Sequence, residues 1–366
     1  MGADRRVARQ DALVRRLEAQ GLDGLVVAGR ANIRYLTGFG GTAGLVIVTR
    51  AETVLVTDFR YDTQAHDEAR GVARVAVDRV NIWERMAREL TALGASGTFG
   101  CEPHLLTVRE AERLAQLGAG KPWRWAPAPD LVEQLRVHKD PDEVAAIRAA
   151  ADLAGAAFAV VVPRLRPGQT ELEIAGMLEC ELRRLGSEDH PFPAIVASGE
   201  RSALPHARAG RRTVRAGEWL LLDFGATVGG YCADLTRTVV VGAPPTDTQR
   251  ALYDVVLAAQ RRAREGIRAG MTGREADALA RDVIAARGFA DAFGHSSGHG
   301  LGLAVHEAPR VSQINEDPLA VDAVVTIEPG VYLAGDGGVR LEDDVHLGAD
   351  GSVLLSDGAG ELIAVV

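Results

Sequence analysis

Two predicted β-hairpins in the second half of this 366-residue chain carry pairs of carboxylates. The first has apolar strands on both sides of a turn at residues 227–230. If this turn is centred after its second residue, Asp223 lies directly opposite Asp234. Facing carboxylates on a buried strand pair repel each other, and the apolar neighbours of Asp223 offer no counter-charge. The pair therefore requires bound cations or protons.

The second predicted hairpin repeats this arrangement. Its strands flank a glycine-rich turn at residues 334–338, and Glu328 and Glu342 are symmetric about Gly335. The two glutamates can therefore face each other across their own ladder. Four carboxylates from two related hairpins are expected to meet in one site.

A histidine between glycines, His299 in the stretch 298–302, is the fifth candidate. One imidazole among carboxylate oxygens suits Mn²⁺, Co²⁺, Fe²⁺ or Zn²⁺ better than an all-oxygen Mg²⁺ site. Four carboxylates balance two divalent ions, and a pair of ions can activate water for hydrolysis. Taken alone, a strand aspartate is commonly an edge residue and a Gly-His-Gly stretch a tight turn. The joint pattern favours a dinuclear metal site.

Helix-start signals place these hairpins inside a repeated unit. Capping boxes precede apolar-periodic runs at Asp140 with Glu143, Thr170 with Glu173, Thr246 with Gln249, and Thr272 with Glu275. Residues 166–186 and 268–288 also share five identities at a constant offset of 102 residues, and a predicted hairpin follows each. Chance similarity of capping signals is the alternative, but the matched hairpins favour an internal duplication.

The first part of the chain alternates predicted strands with amphipathic helices, the pattern of an α/β domain. Strands are predicted at 24–29, 44–50, 52–58, 72–77 and 98–101, and helices at 4–20, 61–70, 82–93 and 107–117. Three prolines and two tryptophans in residues 121–130 interrupt this pattern, so we place the domain boundary there. The chain then divides into an α/β domain, residues 1–128, and a second domain, residues 129–366.

The composition narrows the class of protein. Hydrophobic residues make up 47% and charged residues 25%, as in soluble globular proteins. The net charge is −9 with both signs interleaved, which argues against nucleic acid as a partner because phosphate binding needs clustered positive charge. Cys101, Cys180 and Cys232 form no disulfide or zinc pattern. No signal peptide and no apolar run of membrane-spanning length is recognised, so we expect a cytoplasmic protein without membrane partners.

Six stretches of the second domain resemble the metallopeptidases of the pita-bread fold, which include methionine aminopeptidase, aminopeptidase P and prolidase. They are Ala203–His206, Leu222–Gly225, Gly230–Thr238, Gly298–Glu307, Thr326–Tyr332 and Gly338–Asp344. The resemblance implies an α+β pita-bread catalytic domain with an internal pseudo-twofold duplication and two divalent metal ions. The metal ligands that it implies are Asp223, Asp234, His299, Glu328 and Glu342.

The same resemblance implies catalytic residues beside the metals. His206 and His306 would flank the scissile bond, bind the substrate carbonyl and stabilise the tetrahedral intermediate. Glu328 would pass a proton from the attacking water to the leaving proline nitrogen. The alternative for His306, from its local sequence, is a surface histidine in a loop.

Tyr332 and Arg340 match substrate-binding positions of the proline-specific branch. For Arg340 the alternative is a salt bridge to Asp343 or Asp344. The α/β domain that precedes the catalytic one also indicates this branch. It resembles the N-terminal domain of proline-specific peptidases and creatinase, which simple methionine aminopeptidases lack.

Residues 32–39 and 57–61 resemble the short bacterial Xaa-Pro peptidases, which implies a homodimer acting on short proline-containing peptides. We therefore expect a proline-specific Xaa-Pro aminopeptidase that uses manganese, with cobalt, zinc or iron as alternatives. An Xaa-Pro dipeptidase (prolidase) is the alternative, and it must bind the proline carboxylate through a basic residue such as Arg34 or Arg60. Another exopeptidase specificity also stays open. A non-metal hydrolase like creatinase or a binding module is disfavoured because every metal ligand is present.

Overall fold

The computed structural model describes residues 4–366. Its contacts divide the chain into two compact units, one ending at Arg136 and the other spanning Val137–Val366. The division falls later than the boundary that we placed after residue 128. The difference arises because the short helix Glu133–Arg136, beyond the predicted boundary, is bound to the N-terminal unit: Asn32 Nδ2 donates to Glu133 Oε1 at 2.6 Å. Arg136 also belongs to this unit, since it donates to Asn32 Oδ1 at 2.8 Å.

The N-terminal unit alternates helices and strands, as predicted. Its elements are α1 (Arg5–Ala19), β1 (Gly24–Val27), α2 (Arg30–Thr37), β2 (Gly44–Thr49), β3 (Thr53–Asp58), α3 (Asp62–Glu68), β4 (Arg74–Asp78), α4 (Ile82–Ala92), β5 (Gly97–Cys101), α5 (Val108–Gly118), β6 (Trp123–Pro127) and α6 (Glu133–Arg136). The strands form one mixed sheet in the order β4-β3-β2-β1-β5-β6. Helix α2 was not predicted, because its eight residues are too few to show a helical period.

The C-terminal unit carries both acidic hairpins. Its elements are α7 (Pro141–Val161), α8 (Glu171–Leu185), β7 (Ile195–Ser198), β8 (Glu218–Phe224), β9 (Thr227–Val228), β10 (Tyr231–Cys232), β11 (Leu235–Val241), α9 (Asp247–Gly266), α10 (Gly273–Ala286), β12 (Gly298–Gly300), β13 (Glu307–Val311), β14 (Val324–Ile327), β15 (Gly330–Leu333), β16 (Gly337–Arg340), β17 (Asp343–Gly348), β18 (Gly351–Leu354) and β19 (Ala364–Val365). The larger sheets run β19-β11-β8-β7 and β13-β12-β14-β17-β18, with short ribbons β9-β10 and β15-β16.

The order of elements in the C-terminal unit repeats, with two helices and an antiparallel hairpin in each half. All four predicted capping boxes are formed, at the starts of α7, α8, α9 and α10. The segments before α8 and α10 make equivalent backbone bonds: Gly168 N donates to Val214 O and Gly270 N to Leu319 O, both at 2.8 Å. These equivalences support the predicted duplication.

The register of the first hairpin differs from our prediction. Gly229 and Gly230 have φ angles of 58° and 83°, so both are central residues of the turn, as in type I′ hairpins. The centre of the turn therefore moves by one residue, and Asp223 pairs with Thr236. Asp234 lies diagonally across from Asp223 rather than directly opposite. The shift keeps both carboxylates on one face, because the strand period is two residues.

The second hairpin has the predicted register. The strand pairs on both sides of Glu328 and Glu342 are symmetric about Gly335, so the two glutamates face each other. The two hairpins are also joined to each other, since Glu342 N donates to Thr236 O at 3.1 Å. This bridge brings the acidic residues of the two repeats together.

Pro141–Arg164, which contains α7, is long and apolar enough to span a membrane by length and composition. Its alanine-rich face is buried in the C-terminal unit, where Ala150, Ala154 and Ala157 pack in the same cluster as Leu220 of β8. One face of this helix therefore belongs to the core of the C-terminal unit. The absence of a membrane partner stays a prediction.

Candidate metal centre

The predicted ligands converge inside the C-terminal unit. The donor atoms of Asp234, His299 and Glu342 all lie within 4.8 Å of one another. His299 Nε2 is 3.6 Å from Asp234 Oδ2 and 3.7 Å from Glu328 Oε1. The charge of Asp223 acts on the carboxyl groups of Asp234, Glu328 and Glu342. The structure thus groups all five residues that were predicted from the two hairpins and the glycine-flanked histidine.

Glycines allow β12 to present His299 at this point. A Cβ atom on Gly298 would lie 1.9 Å from Thr326 O, and one on Gly300 would lie 2.2 Å from Ala308 O. Any other residue would therefore collide with neighbouring backbone. His299 Nδ1 donates to Gly300 O at 3.0 Å, which leaves the lone pair on Nε2 directed at the carboxylates.

The negative charge of the carboxyl groups in this site is only partly balanced by cations of the protein. Burial, reinforced by the charges of neighbouring carboxylates, raises the pKa of Asp234 well above its usual range. The pKa of Glu342 is raised for the same reasons. Burial also raises the pKa of Glu328 to about 8, although the nearby Arg340 guanidinium opposes the shift. The site therefore holds more negative charge than its own cation balances.

This donor set fits divalent metal ions. Burial lowers the pKa of His299 to about 4, so its imidazole is neutral at pH 7 and can act as a ligand. Asp234 Oδ1 is buried and has no hydrogen-bond partner among residues 4–366. An unpartnered carboxylate oxygen in the interior is costly, and a bound cation would compensate it. The four carboxylates together carry the charge that offsets two divalent ions.

Contacts behind the ligands orient them. Thr236 Oγ1 donates to Glu342 Oε2 at 2.6 Å, and Asp234 N donates to Asp344 Oδ2 at 3.2 Å. Such outer contacts fix the direction of a metal ligand before an ion arrives. Thr236 also links the repeats, because it lies in the first hairpin and Glu342 in the second.

Arg340 connects Asp223 to a neutral polar chain. Its Nη2 donates to Asp223 Oδ2 at 2.5 Å, and its Nη1 donates to the Tyr332 hydroxyl at 2.9 Å. His295 Nδ1 donates to Ser296 O at 2.8 Å, so His295 Nε2 accepts from the Tyr332 hydroxyl at 2.7 Å. Burial lowers the pKa of His295 to about 4 and raises the pKa of Tyr332 to about 12. Both groups are therefore neutral at pH 7.

Neither alternative partner of Arg340 is used. Asp343 pairs instead with Arg237 at 2.8 Å, and Asp344 accepts a backbone N–H. The positive charge of Arg340 is therefore directed into the acidic site, where it partly compensates Asp223.

The two predicted catalytic histidines are exposed beside this site. The ring centroids of His299 and His306 are 4.2 Å apart. Arg340 Nη1 also donates to Pro205 O at 3.2 Å, which holds the segment immediately before His206. Desolvation lowers the pKa of His306, and the charges of His206 and Arg310 contribute to the same direction. The structure thus brings both histidines to one region of the site.

Sequence reasoning missed His295 and Thr236. The available signal for His295 was its position four residues before His299 in a glycine- and serine-rich stretch. Thr236 lies two residues after Asp234, a spacing that returns a side chain to the same strand face. Their contacts depend on the second hairpin, so neither partner could be assigned from local sequence.

The geometry agrees with comparisons to known sequences. The profile of metallopeptidase family M24 matches residues 145–349, which is more than half of the chain. The chain belongs to metallopeptidase family M24. The profile of the Creatinase/Prolidase N-terminal domain matches residues 9–138 of this M24 peptidase.

Solved and curated relatives resemble the M24 peptidase over nearly its whole length. An Xaa-Pro dipeptidase from Bacillus anthracis is 38% identical, with a TM-score of 0.93 and coverage of 98% of this chain and 99% of the relative. An X-Pro aminopeptidase from Thermotoga maritima MSB8 is 35% identical, with a TM-score of 0.89 and coverage of 97% of this chain and 99% of the relative. An Xaa-Pro dipeptidase from Pyrococcus furiosus is 33% identical over 327 residues, 89% of this chain and 90% of the relative.

These comparisons confirm the predicted fold and enzyme class. The protein is a metal-dependent peptidase with a creatinase-like N-terminal domain and a pita-bread catalytic domain, in the proline-specific branch. Its family uses a dinuclear divalent metal centre, as the donor set requires.

Proposed function

We propose that this M24 peptidase is an Xaa-Pro dipeptidase, with Asp223, Asp234, His299, Glu328 and Glu342 as ligands of two divalent ions. The aminopeptidase that we expected first is not confirmed, because relatives of comparable identity include both named activities and several are dipeptidases. Manganese is the proposed metal, since four carboxylates and one imidazole suit it. The choice between the two activities depends on what binds the proline carboxylate.

Arg310 is the observation that favours the dipeptidase. It pairs with His299 across the β12–β13 ladder, so the two side chains share one face. It is exposed, and its charge contributes to the lowered pKa values of both His299 and His306. No ion pair to Arg310 is found within the described residues 4–366. A free guanidinium beside the catalytic histidines is suited to a substrate carboxylate.

The other basic candidates have weaker support. Arg60 is already paired with Asp58 at 2.7 Å. Arg34 lies in α2 of the N-terminal unit, where a role would depend on a second subunit. The predicted homodimer and cytoplasmic location stay proposals that the function does not require.

In this proposal each side chain of the site has its own role in hydrolysis of the peptide bond. When bound, the two ions supply an activated water and polarise the scissile carbonyl. His206 and His306 bind the carbonyl oxygen and stabilise the negative charge that develops on it. The Glu328 carboxylate accepts a proton from the attacking water and delivers it to the leaving proline nitrogen. Arg340, held by Tyr332, keeps Asp223 in place.

The first test compares Ala-Pro with Ala-Pro-Ala on the manganese-loaded enzyme, with Ala-Ala-Ala as the control for proline specificity. We expect hydrolysis of Ala-Pro and little release of alanine from Ala-Pro-Ala. Efficient release of alanine from the tripeptide would identify an aminopeptidase instead. Equal hydrolysis of Ala-Ala-Ala would remove the proline specificity and leave only the two-metal peptidase.

The second test replaces the proposed carboxylate anchor. Arg310→Met should raise KM for Ala-Pro by about 10- to 100-fold, the value of a charge-assisted hydrogen bond. The same change should leave the poor hydrolysis of Ala-prolinamide unaltered, because that substrate has no carboxylate. Arg166→Met, at an exposed arginine before α8, is the matched control. An unchanged KM for Ala-Pro in Arg310→Met would rule out this anchor.

A further inference from the structure

Residues 301–306 form the loop between β12 and β13, and this loop carries His306. Its backbone is bonded to the rest of the C-terminal unit at several points. Leu301 is fully buried, and its N–H donates to Val324 O at 3.0 Å. Gly302 O accepts from Cys232 N at 2.8 Å. The residues between Gly302 and His306 are partly exposed, so the backbone at the start of the loop is fixed while the end needs another anchor.

A buried ion pair supplies that anchor. Lys139 Nζ lies 2.6 Å from Glu307 Oε1, and the two side chains are only 1% and 7% exposed. The second oxygen of Glu307 accepts from Ala304 N at 3.4 Å, inside the same loop. Glu307 therefore connects the loop to Lys139 through one oxygen and closes the loop on itself through the other.

Lys139 is itself held in a fixed place. Its backbone N–H donates to Asp322 O at 2.9 Å, just before β14. The next residue, Asp140, caps α7 by accepting from the N–H groups of Asp142 and Glu143. The ammonium group thus extends from the junction of α7 with β14, which are both parts of the buried core. It gives the loop a rigid point of attachment.

The position of Glu307 in the sequence explains what this attachment does. Glu307 directly follows His306 and is the first residue of β13, so its buried carboxylate fixes the backbone at the peptide unit next to the histidine. Lys139 holds Glu307 in the interior, whereas His306 is exposed and its ring centroid lies 4.2 Å from that of His299. The ion pair and the catalytic histidine are therefore coupled through one peptide unit.

We propose that Lys139 and Glu307 are positioning residues for His306 in the hydrolysis of the peptide bond. The proposal rests on the role of His306 given under the proposed function. A buried ion pair contributes little net stability compared with apolar residues of the same shape, whereas it does fix geometry. A shift of about 1 Å in a catalytic group can lower the rate by roughly 100-fold.

A double-mutant cycle between the ion pair and the histidine tests this proposal. On the manganese-loaded enzyme we expect Lys139→Met to lower kcat for Ala-Pro by about 10- to 100-fold, with KM nearly unchanged. Adding Lys139→Met to His306→Ala should lower kcat little further, because the residue that it positions is already absent. Lys139→Arg should restore most of the activity, since it keeps the charge.

Controls separate positioning from a loss of fold or of metal. Each variant is checked for two bound manganese ions and for its thermal midpoint. Glu218→Gln, which breaks the Arg212–Glu218 pair at the far end of β8 from Asp223, is the matched ion-pair control and should retain kcat. If Lys139→Met does not fold, the cycle is run with Glu307→Gln, which keeps the shape of the side chain but removes the charge that pairs with Lys139.

The outcomes distinguish the two proposals. Fully additive losses in the cycle, or an unchanged kcat in the folded ion-pair variant, would overturn the positioning role while leaving His306 catalytic. Full activity of His306→Ala would instead overturn the proposed role of His306, and the positioning role with it. Non-additive losses with both manganese ions retained would support both.

Discussion

Asp343 and Asp234 are buried carboxylates in the two joined hairpins, yet they differ in the number of hydrogen-bond donors around them. Asp343 is fully buried and accepts from Arg237 at 2.8 Å, from Ser356 Oγ at 2.8 Å and from Ala359 N at 3.0 Å. Gln260 and Arg264 are further donors to it. Asp234 receives no comparable set of donors, and its Oδ1 has no partner among the described residues.

The difference shows how this fold separates structural from functional acids. Donors from α9 and the C-terminal segment complete the hydrogen bonding of Asp343, which therefore needs no ion. The carboxyl groups of Asp234 and Glu342 have raised pKa values because burial is not matched by protein cations. The missing compensation at Asp234 and Glu342 indicates metal ligands, and the complete set of donors around Asp343 indicates a structural role.

The largest expected effect is that of Asp234→Asn. It removes one predicted ligand with almost no change of shape, so hydrolysis of Ala-Pro should fall by about 1,000-fold or more. The metal-free variant should at the same time have a higher thermal midpoint than the metal-free wild type, because an amide can be buried without either a charge or the uptake of a proton. Enzyme assay, metal analysis and calorimetry measure these effects. A lower midpoint in the metal-free variant would contradict the comparison.

The matched change Asp343→Asn should have the opposite signature. It leaves the charges of Arg237 and Arg264 without their carboxylate, and this should cost about 3 kcal/mol of the free energy of unfolding. The loss should appear both with and without manganese, since Asp343 is not a predicted ligand. Denaturant unfolding of both forms measures it. A loss seen only in the metal-loaded enzyme would instead indicate that Asp343 acts through the metal site.

Removal of the metal should change how stability depends on pH. The pKa of Glu328 is raised from an ordinary 4.5 to about 8, so between these values the folded, metal-free protein binds more protons than the unfolded chain. Its stability is greatest below the unfolded pKa and decreases as pH rises through 8, by up to about 1.4 kcal/mol per pH unit for each such proton. Asp234 and Glu342 act in the same direction.

Denaturant unfolding at pH 6.5 to 8, after removal of metal with a chelator, measures this slope above the range in which the lowered pKa values of His295 and His299 act in the opposite direction. Glu328→Gln is the control, because its amide does not titrate, and it should reduce the slope. The manganese-loaded enzyme should lack the decrease, since bound cations favour the ionised carboxylates. A metal-free enzyme that became more stable from pH 6.5 to 8 would show that the acids are compensated after all.

The sequence was sufficient to predict which acidic residues lie together but not all of their geometry. Hairpin symmetry placed Glu328 opposite Glu342, because a single turn centre at Gly335 determines the register. For the first hairpin the same reasoning selected the wrong centre. Gly229 and Gly230 both adopt positive φ, and a composition of several turn-forming residues does not show which two will do so.

The contacts between distant segments could not be predicted. Three acids follow Arg340 closely in the sequence, and only the fold shows that it pairs with Asp223, 117 residues away. The donors of Asp343 likewise come from α9 and the C-terminal segment. Capping boxes were predicted correctly because their partners are three residues apart, whereas partners of buried acids depend on tertiary packing.

The smallest expected effect is that of Thr236→Val. This substitution tests whether hydrogen-bond donors to a site acid matter for metal binding. The Thr236 hydroxyl donates to Glu342 Oε2 at 2.6 Å, so the substitution moves Glu342 further toward the uncompensated state. The affinity for manganese should fall by about 10-fold, as for other contacts that orient a metal ligand. At saturating manganese kcat should stay within a few-fold of wild type, because no ligand is lost. Metal titration monitored by calorimetry measures the change, and Thr238→Val is the matched control, since that hydroxyl contacts the backbone of Arg340. Equal manganese affinities in Thr236→Val and wild type would mean that the bound ions alone orient Glu342.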